Sequence, residues 1–428
     1  MPTHRAIMDL FAVFTILMTL TAVFSFLNEV FLKLPTTIGI MLASLAASIF
    51  ILVSGYLGFG HVHWAVALVT AADFDHLVMN GMLSFLLFAG ASTVNLDDLG
   101  EYKGTIAYLA TFGMIIATFL TGWVVWWVFG LLGIDIPLVY ALIFGAIISP
   151  IDAIVVLKLF RRVNAGKTLE SIITGESLFN DAVAVVIFVL LLDVASGETT
   201  LTGIDIGKFF LKEAVGGLLL GVSLGYLSYR MILEIVVRGR EGSIVVALIT
   251  LALVSGGYSL AELLDVSGPL TCVVAGLFLA RRRRLMPSSA DHIRSYVGSF
   301  WEIIDDVLNA VLFVLIGLEV LILDFEKSYI ICGLLAIPLI TFARFVSVEF
   351  PLILLRYVRK IPNLSGFIMT WSGIRGGVSI ALALSLPDSK ERDLIVLMTY
   401  LVVVFSILVQ GLTLENAVKW NNKKENPH

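Results

Sequence analysis

Within one otherwise apolar stretch the chain carries Thr174-Gly175-Glu176-Ser177-Leu178-Phe179-Asn180-Asp181, followed by the uninterrupted run Ala182-Val183-Ala184-Val185-Val186. On a helix Ser177 and Asp181, four residues apart, share one face, and Glu176 and Asn180 form the adjacent stripe. Asp181 has no basic residue one turn away. It reads as a desolvated carboxylate, able to hold a proton or a small cation but hardly both at once. That competition is the chemistry of an exchanger. An aspartate merely hydrogen-bonded in a core is the bland alternative; Asp152, beside a helix-breaking Ser149-Pro150 pair, weighs against it. Arg344 and Arg375 also fall in apolar stretches, and Glu176 is the best candidate to neutralise one of them. Asp305, Asp306 and Asn309, after Trp301-Glu302, fit either a solvated funnel with helix-packing contacts or an ion path.

Residues of this kind are costly only if their surroundings are lipid, and the composition says that they are. The 428 residues are 59% hydrophobic and 14% charged, with mean hydropathy +0.99 and net charge −5. A soluble protein carries about 25% charged residues, so this is an all-α polytopic membrane protein. An ionised group at the bilayer centre costs at least about 2.5–3.5 kcal/mol. Thirteen stretches read as spans: 6–27, 36–55, 75–93, 104–132, 136–160, 171–195, 209–233, 243–264, 266–280, 297–323, 328–354, 365–386 and 392–416. Segment 56–74 reads as a loop or surface helix, and the split at Asp265 is the weakest of the boundaries. Backbone groups in lipid must pair internally, and no alternating barrel pattern is present, so the spans are helices.

Basic residues alternate between loops. Lys158, Arg161, Arg162 and Lys167, then Arg230, Arg238 and Arg240, then Arg281-Arg282-Arg283-Arg284 with Arg294, then Arg356, Arg359 and Lys360 all fall on one side. The positive-inside rule puts the N-terminus outside and the tail 417–428 in the cytoplasm of an inner (cell) membrane protein. The arginine run serves topology; anionic membrane lipid is the lesser reading. Asp9 and Lys212 sit near span ends and snorkel. Cys272 and Cys332 lie in apolar stretches as small hydrophobes. No basic domain for nucleic acid appears, and no Walker, G-x-S-x-G or H-E-x-x-H motif, so ATP-driven pumping and hydrolysis lack support. Gly217, Gly221 and Gly225 form a small-residue face suited to close packing within the chain rather than a dimer seam.

A shift of about 223 residues maps spans three to six onto ten to thirteen, aligning Ser149-Pro150-Ile151-Asp152-Ala153 with Ser372-Gly373-Ile374-Arg375-Gly376. A displacement of seven spans inverts topology, and inverted repeats with broken helices place a transporter's site at the repeat interface near the midplane. The expected organisation is a first repeat over about 6–195, a linker helix at 209–233 and a second repeat over 243–416.

The motifs together resemble the monovalent cation:proton antiporters, specifically the bacterial NhaP-like sodium/proton exchangers. The resemblance rests on Gly175 to Val186, on Ser149-Pro150-Ile151-Asp152, on Ala310 to Leu318, on Trp371-Ser372-Gly373-Ile374-Arg375-Gly376-Gly377-Val378 and on Leu34-Pro35-Thr36-Thr37-Ile38-Gly39. It implies an NhaA-like antiporter fold of about thirteen helices with two broken crossing helices, a homodimer with core and dimerisation domains, and elevator-type alternating access. Asp181 would be the cation- and proton-binding carboxylate, helped by Asp152, Ser177, Asn180 and the Ile151 backbone carbonyl. The ion, Na+ (or Li+ or K+), would sit at Asp181, Asp152 and Ser177. Asn180 stands where electrogenic relatives carry a second Asp, which implies electroneutral exchange. Glu176 would pair with Arg344, while Arg375 compensates the helix breaks. Ile151 departs from the family's usual Thr, and Ala89 stands where many relatives carry Glu.

The expected function is secondary Na+(Li+)/H+ antiport without a cofactor, with Na+ and H+ as its transported partners. Potassium/proton exchange on the same scaffold is the nearest alternative. An intramembrane aspartyl protease would need a glycine-x-glycine-aspartate motif that neither Asp152 nor Asp181 has, and a transporter-like receptor would show no exchange.

Overall fold

The computed structural model describes residues 10–58, 62–72, 74, 77–94, 96–163, 166–196, 203–238, 242–284, 291–323, 325–358 and 366–425. Asp9, Arg240, Arg359 and Lys360 lie outside them. Every described element is a helix: α1 (Leu10–Leu27), α2 (Thr36–Tyr56), α3 (Val62–Ala72), α4 (Leu83–Thr93), α5 (Leu96–Tyr108), α6 (Met114–Leu131), α7 (Leu138–Ile148), α8 (Ala153–Val163) and α9 (Lys167–Ser196). Then follow α10 (Gly203–Val237), α11 (Ser243–Leu263), α12 (Gly268–Arg284), α13 (Asp291–Glu319), α14 (Lys327–Val358), α15 (Gly366–Trp371), α16 (Gly377–Leu384), α17 (Lys390–Phe405) and α18 (Gly411–Glu425). Several join through π-helical turns, among them Leu77–Met82, Leu109–Gly113 and Ser406–Gln410.

Eight helices among the described residues are long and apolar enough to cross a bilayer, and a ninth span is a pair bent by 46° between Val62–Met79 and Leu83–Thr93. Large apolar side chains such as Phe11, Phe50, Trp123, Trp127 and Leu131 point outward, which a water-facing surface of this extent would not tolerate. The other expected segments are helical too, but shorter, broken or charged: α7–α8, α12, α13 and α15–α16. Segment 56–74, read from sequence as a loop or surface helix, contains α3. Ala65, Leu68, Val69 and Ala72 bury one face of it, against α1 and α2. The turn at Asp265, with φ +49°, separates α11 from α12.

The helices sort into two groups by packing. The first, α1–α4 with α10–α13, is built on the α10–α12, α4–α12 and α2–α13 pairs. One of its close approaches follows the glycine stripe, where a methyl added at Gly217, Gly221 or Gly225 would lie 2.8, 2.7 and 3.2 Å from Ser267, Thr271 and Phe278. Those glycines therefore pack within the chain. The second group, α5–α9 with α14–α18, centres on α6–α7, α7–α9, α6–α14 and α14–α17. Here too backbones nearly touch, since a methyl at Gly122 would lie 2.7 Å from Leu142.

The two interrupted spans belong to the second group. α7 stops at Ile148 and α8 begins at Ala153; α15 stops at Trp371 and α16 begins at Gly377. The shift found in the sequence carries the first interruption onto the second. Proline at 150 removes a donor in one, and glycines at 373, 376 and 377 release the other.

Candidate ion-binding site

The two interruptions meet. The Asp152 backbone N–H donates to the Ile374 carbonyl at 2.7 Å, main chain to main chain. Gly376 lies flat against the Asp152 carboxylate, where a methyl would come within 2.5 Å of Oδ2 and 2.9 Å of Cβ. Only glycine admits so close an approach. α7 closes on its own last turn, with Ser149 Oγ donating to Gly145 O at 2.6 Å.

α9 supplies the facing side chains. Its first turns carry helix-favouring Lys167, Leu169 and Glu170, and the apolar run after Asp181 anchors the rest. Ser177 Oγ donates to Ile151 O at 2.9 Å and accepts from Ala153 N at 3.3 Å. Ser177 thus braces the α8 end of the first interruption, and the Ile151 carbonyl, expected as an ion ligand, already accepts one hydrogen bond. Asp181 lies one turn further along the same face, only partly buried. Among the described residues no Lys, Arg or His is paired with it, and the charge that acts on it is that of Asp152. Asn180 on the adjacent stripe is 2% exposed, and its Oδ1 accepts no hydrogen bond. No group of three or more His, Cys, Asp or Glu side chains forms a metal cluster among the described residues. A hard cation wants about six oxygens, so one held by Asp181 and Asp152 completes its shell with hydroxyl, carbonyl or amide oxygens, or with water.

Behind this face sit the buried charges. Glu176 Oε1 accepts from Arg344 Nη1, on α14, at 2.6 Å, with side chains 2% and 6% exposed. Arg375 is buried within the second interruption. Its backbone N–H donates to Ser406 Oγ at 3.0 Å, and its guanidinium to the Gly373 carbonyl. Ser406 opens the π-helical turn after α17, and the sequence reading did not single it out. Ala89 is fully buried in the apolar cluster of Phe88 and Trp301, so that position offers no carboxylate.

Asp305, on α13, lies close enough to Asp152 for their charges to interact. Asp306, next to it, accepts from Lys158 Nζ at 2.9 Å. Lys158 stands six residues after Asp152 on the polar face of α8. In the sequence it serves only as a topology signal, although its spacing from Asp152 is visible there. This ion pair joins a half-helix of the second group to α13 of the first. Lys212, expected to snorkel, lies on the exposed surface with its Nζ 3.5 Å from Asp265 Oδ2.

A family profile described as "Sodium/hydrogen exchanger, transmembrane" matches residues 12–420. The Na(+)/H(+) antiporter NhaP of Pseudomonas aeruginosa is 40% identical over 417 residues, covering 96% of each chain. The Na(+)/H(+) antiporter NhaH of Halobacillus aidingensis is 30% identical over 426 residues, covering 97% of this chain and 98% of that one. The solved structure of the sodium proton antiporter MjNhaP1 from Methanocaldococcus jannaschii superposes with a TM-score of 0.75 over 95% of this chain and 96% of that one. At 19% identity it speaks for the fold alone. The chain belongs to the transmembrane sodium/hydrogen exchanger family.

Proposed function

We propose that this protein is a secondary Na+/H+ antiporter in which cation and proton compete for Asp181. The observation that carries the reading is the Asp181 carboxylate itself. It lies partly open, without a cationic partner among the described residues and within the field of Asp152. Sodium displaces the proton on one side of the membrane, the loaded core moves, and a proton displaces sodium on the other. Asp152, Ser177, Asn180 and the second lone pair of the Ile151 carbonyl complete the site. Asn180 in place of a second acid supports one-for-one, electroneutral exchange, with Li+ accepted beside Na+. The Glu176–Arg344 pair and Arg375 are structural. The names of the relatives support sodium over potassium; the missing hydroxyl at Ile151 is the one feature that favours the potassium alternative.

The two packing groups support elevator-type alternating access, α5–α9 with α14–α18 moving against α1–α4 with α10–α13. The first group would then supply the homodimer interface. The inverted repeats occupy about 6–195 and 243–416, and the N-terminus faces outside with the tail in the cytoplasm of the inner membrane. Membership of an exchanger family sets the protease alternative aside.

Proteoliposomes loaded with a pH-sensitive dye test the reading, with Na+, Li+ and K+ added in turn. Sodium-driven proton flux is expected, unaffected by a potassium diffusion potential set with valinomycin if exchange is electroneutral. Asp181→Asn abolishes it while the protein still folds, because the amide mimics the protonated acid. Retained cation-dependent flux in Asp181→Asn would refute Asp181 as the carrier.

A further inference from the structure

Beside the Glu176–Arg344 pair lies a small cavity, bordered by Arg344, Arg375, Thr370, Ser406 and Gln410. It has room for about one water-sized sphere. Its charges do not balance. The charges acting on Arg375 are those of Arg344 and Glu176, so two buried guanidiniums share one carboxylate. Arg344 Nε and Nη2 and Arg375 Nε are each buried without a hydrogen-bond partner. The Gly373 backbone runs between the two cations, with a methyl there 2.8 Å from Arg375 Nη1 and 3.3 Å from Arg344 Nε. Buried donors on a cation carry a large desolvation cost unless an acceptor meets them.

The hydroxyls in the wall are already committed. Thr370 Oγ1 donates to Gly366 O, and Ser406 Oγ donates to Val403 O while accepting from Arg375 N. The cavity therefore presents unmet cationic donors, with only neutral side chains beside them in its wall. A water could satisfy these donors but would leave the excess positive charge, whereas a halide accepts from the guanidiniums and cancels it.

We propose that this cavity binds one small monovalent anion of chloride size, held between Arg344 and Arg375. It is a resident anion and not a transported one. Its position ties the π-helical turn Ser406–Gln410 to the second helix interruption.

The test is thermal unfolding of the full-length protein in detergent, followed by tryptophan fluorescence at fixed Na+ and fixed ionic strength. Chloride or bromide replaces gluconate stepwise. A specific site raises the melting temperature with the logarithm of halide concentration once above its dissociation constant. Gln410→Leu, which removes a polar wall without touching either arginine, moves the half-point at least tenfold higher. A bromide-soaked crystal shows an anomalous peak between the Arg344 and Arg375 guanidiniums. Equal melting temperatures in chloride, bromide and gluconate overturn the proposal, as does a cavity holding water without bromide. A halide response of the same midpoint in Gln410→Leu places the anion elsewhere and overturns it equally.

Discussion

Removing the Glu176 carboxylate is the most informative single perturbation of this core. In Glu176→Ala, Arg344 loses the acceptor of its Nη1 bond at 2.6 Å, and Arg344 Nε and Nη2 are already without partners. The whole guanidinium is then stranded at 5% exposure, facing a second cation in Arg375. Breaking one side of a buried pair costs about 3–5 kcal/mol, because the survivor stays desolvated. Spread over the unfolding entropy of a chain this long, that is a drop of roughly 3–6 °C in melting temperature. Asp181→Asn, by contrast, removes a charge that has no cationic partner and lies in the field of Asp152, and it shifts melting by less than about 1 °C. Replacing both partners, Glu176→Leu with Arg344→Met, recovers most of the loss, since an apolar pair of similar volume avoids the desolvation penalty. The measurement is a double-mutant cycle on melting temperatures in detergent, at one scan rate because such unfolding is often irreversible. A Glu176→Ala protein that melts with the wild type, or a double mutant whose loss is the sum of the two single losses, would show that the pair is not coupled and that this reasoning is wrong.

Other perturbations probe the ion site and its approach. Gly376→Ala pushes a methyl into the Asp152 carboxylate; sodium half-saturation in dye-loaded vesicles should rise at least about tenfold, the equivalent of about 1.4 kcal/mol, and an unchanged value would separate Asp152 from the cation. Ser177→Ala removes the brace on Ile151 and Ala153 at a cost of about 1–2 kcal/mol in stability; it lowers exchange while Ser177→Thr retains it, as initial rates will show. Asp306→Ala opens a pair whose side chains are 42% and 66% exposed, so melting moves by under about 1 kcal/mol while exchange kinetics change. The swap Lys158→Asp with Asp306→Lys restores the rate if the pair itself matters.

Legibility from sequence followed distance along the chain. The interruptions could be read directly, because Pro150 and the glycines at 373, 376 and 377 act on their own backbone. The stripe of α9 could be read because Ser177 and Asp181 are one helical turn apart. Partners far apart in sequence could not be. Residues alone left Glu176 with two candidate arginines, and only the fold, which brings the Arg344 side chain of α14 to α9, selects Arg344. Nothing local links Lys158 to Asp306, since that contact depends on how α8 meets α13. Likewise the engagement of the Ile151 carbonyl by Ser177 depends on the separation of α7–α8 from α9, which periodicity does not encode. Segment 56–74 was ambiguous because His61, His63 and Trp64 dilute its apolar pattern, and only burial of Ala65, Leu68 and Val69 marks α3 as part of the body.

The bond between the Asp152 N–H and the Ile374 carbonyl has a mechanical consequence. It is made entirely by main chain, so no substitution short of proline at position 152 deletes it. Opening a hinge at either interruption would forfeit that bond, and the crossing therefore behaves as a riveted joint, with the four half-helices travelling together. Under the proposed elevator motion, yielding would fall to the seams between the two helix groups, where contacts such as Lys158 with Asp306 can be exchanged for solvent. The proposed ion chemistry at Asp181 and Asp152 would thus be retuned by side chains alone, on a frame whose central fastening is written in the backbone.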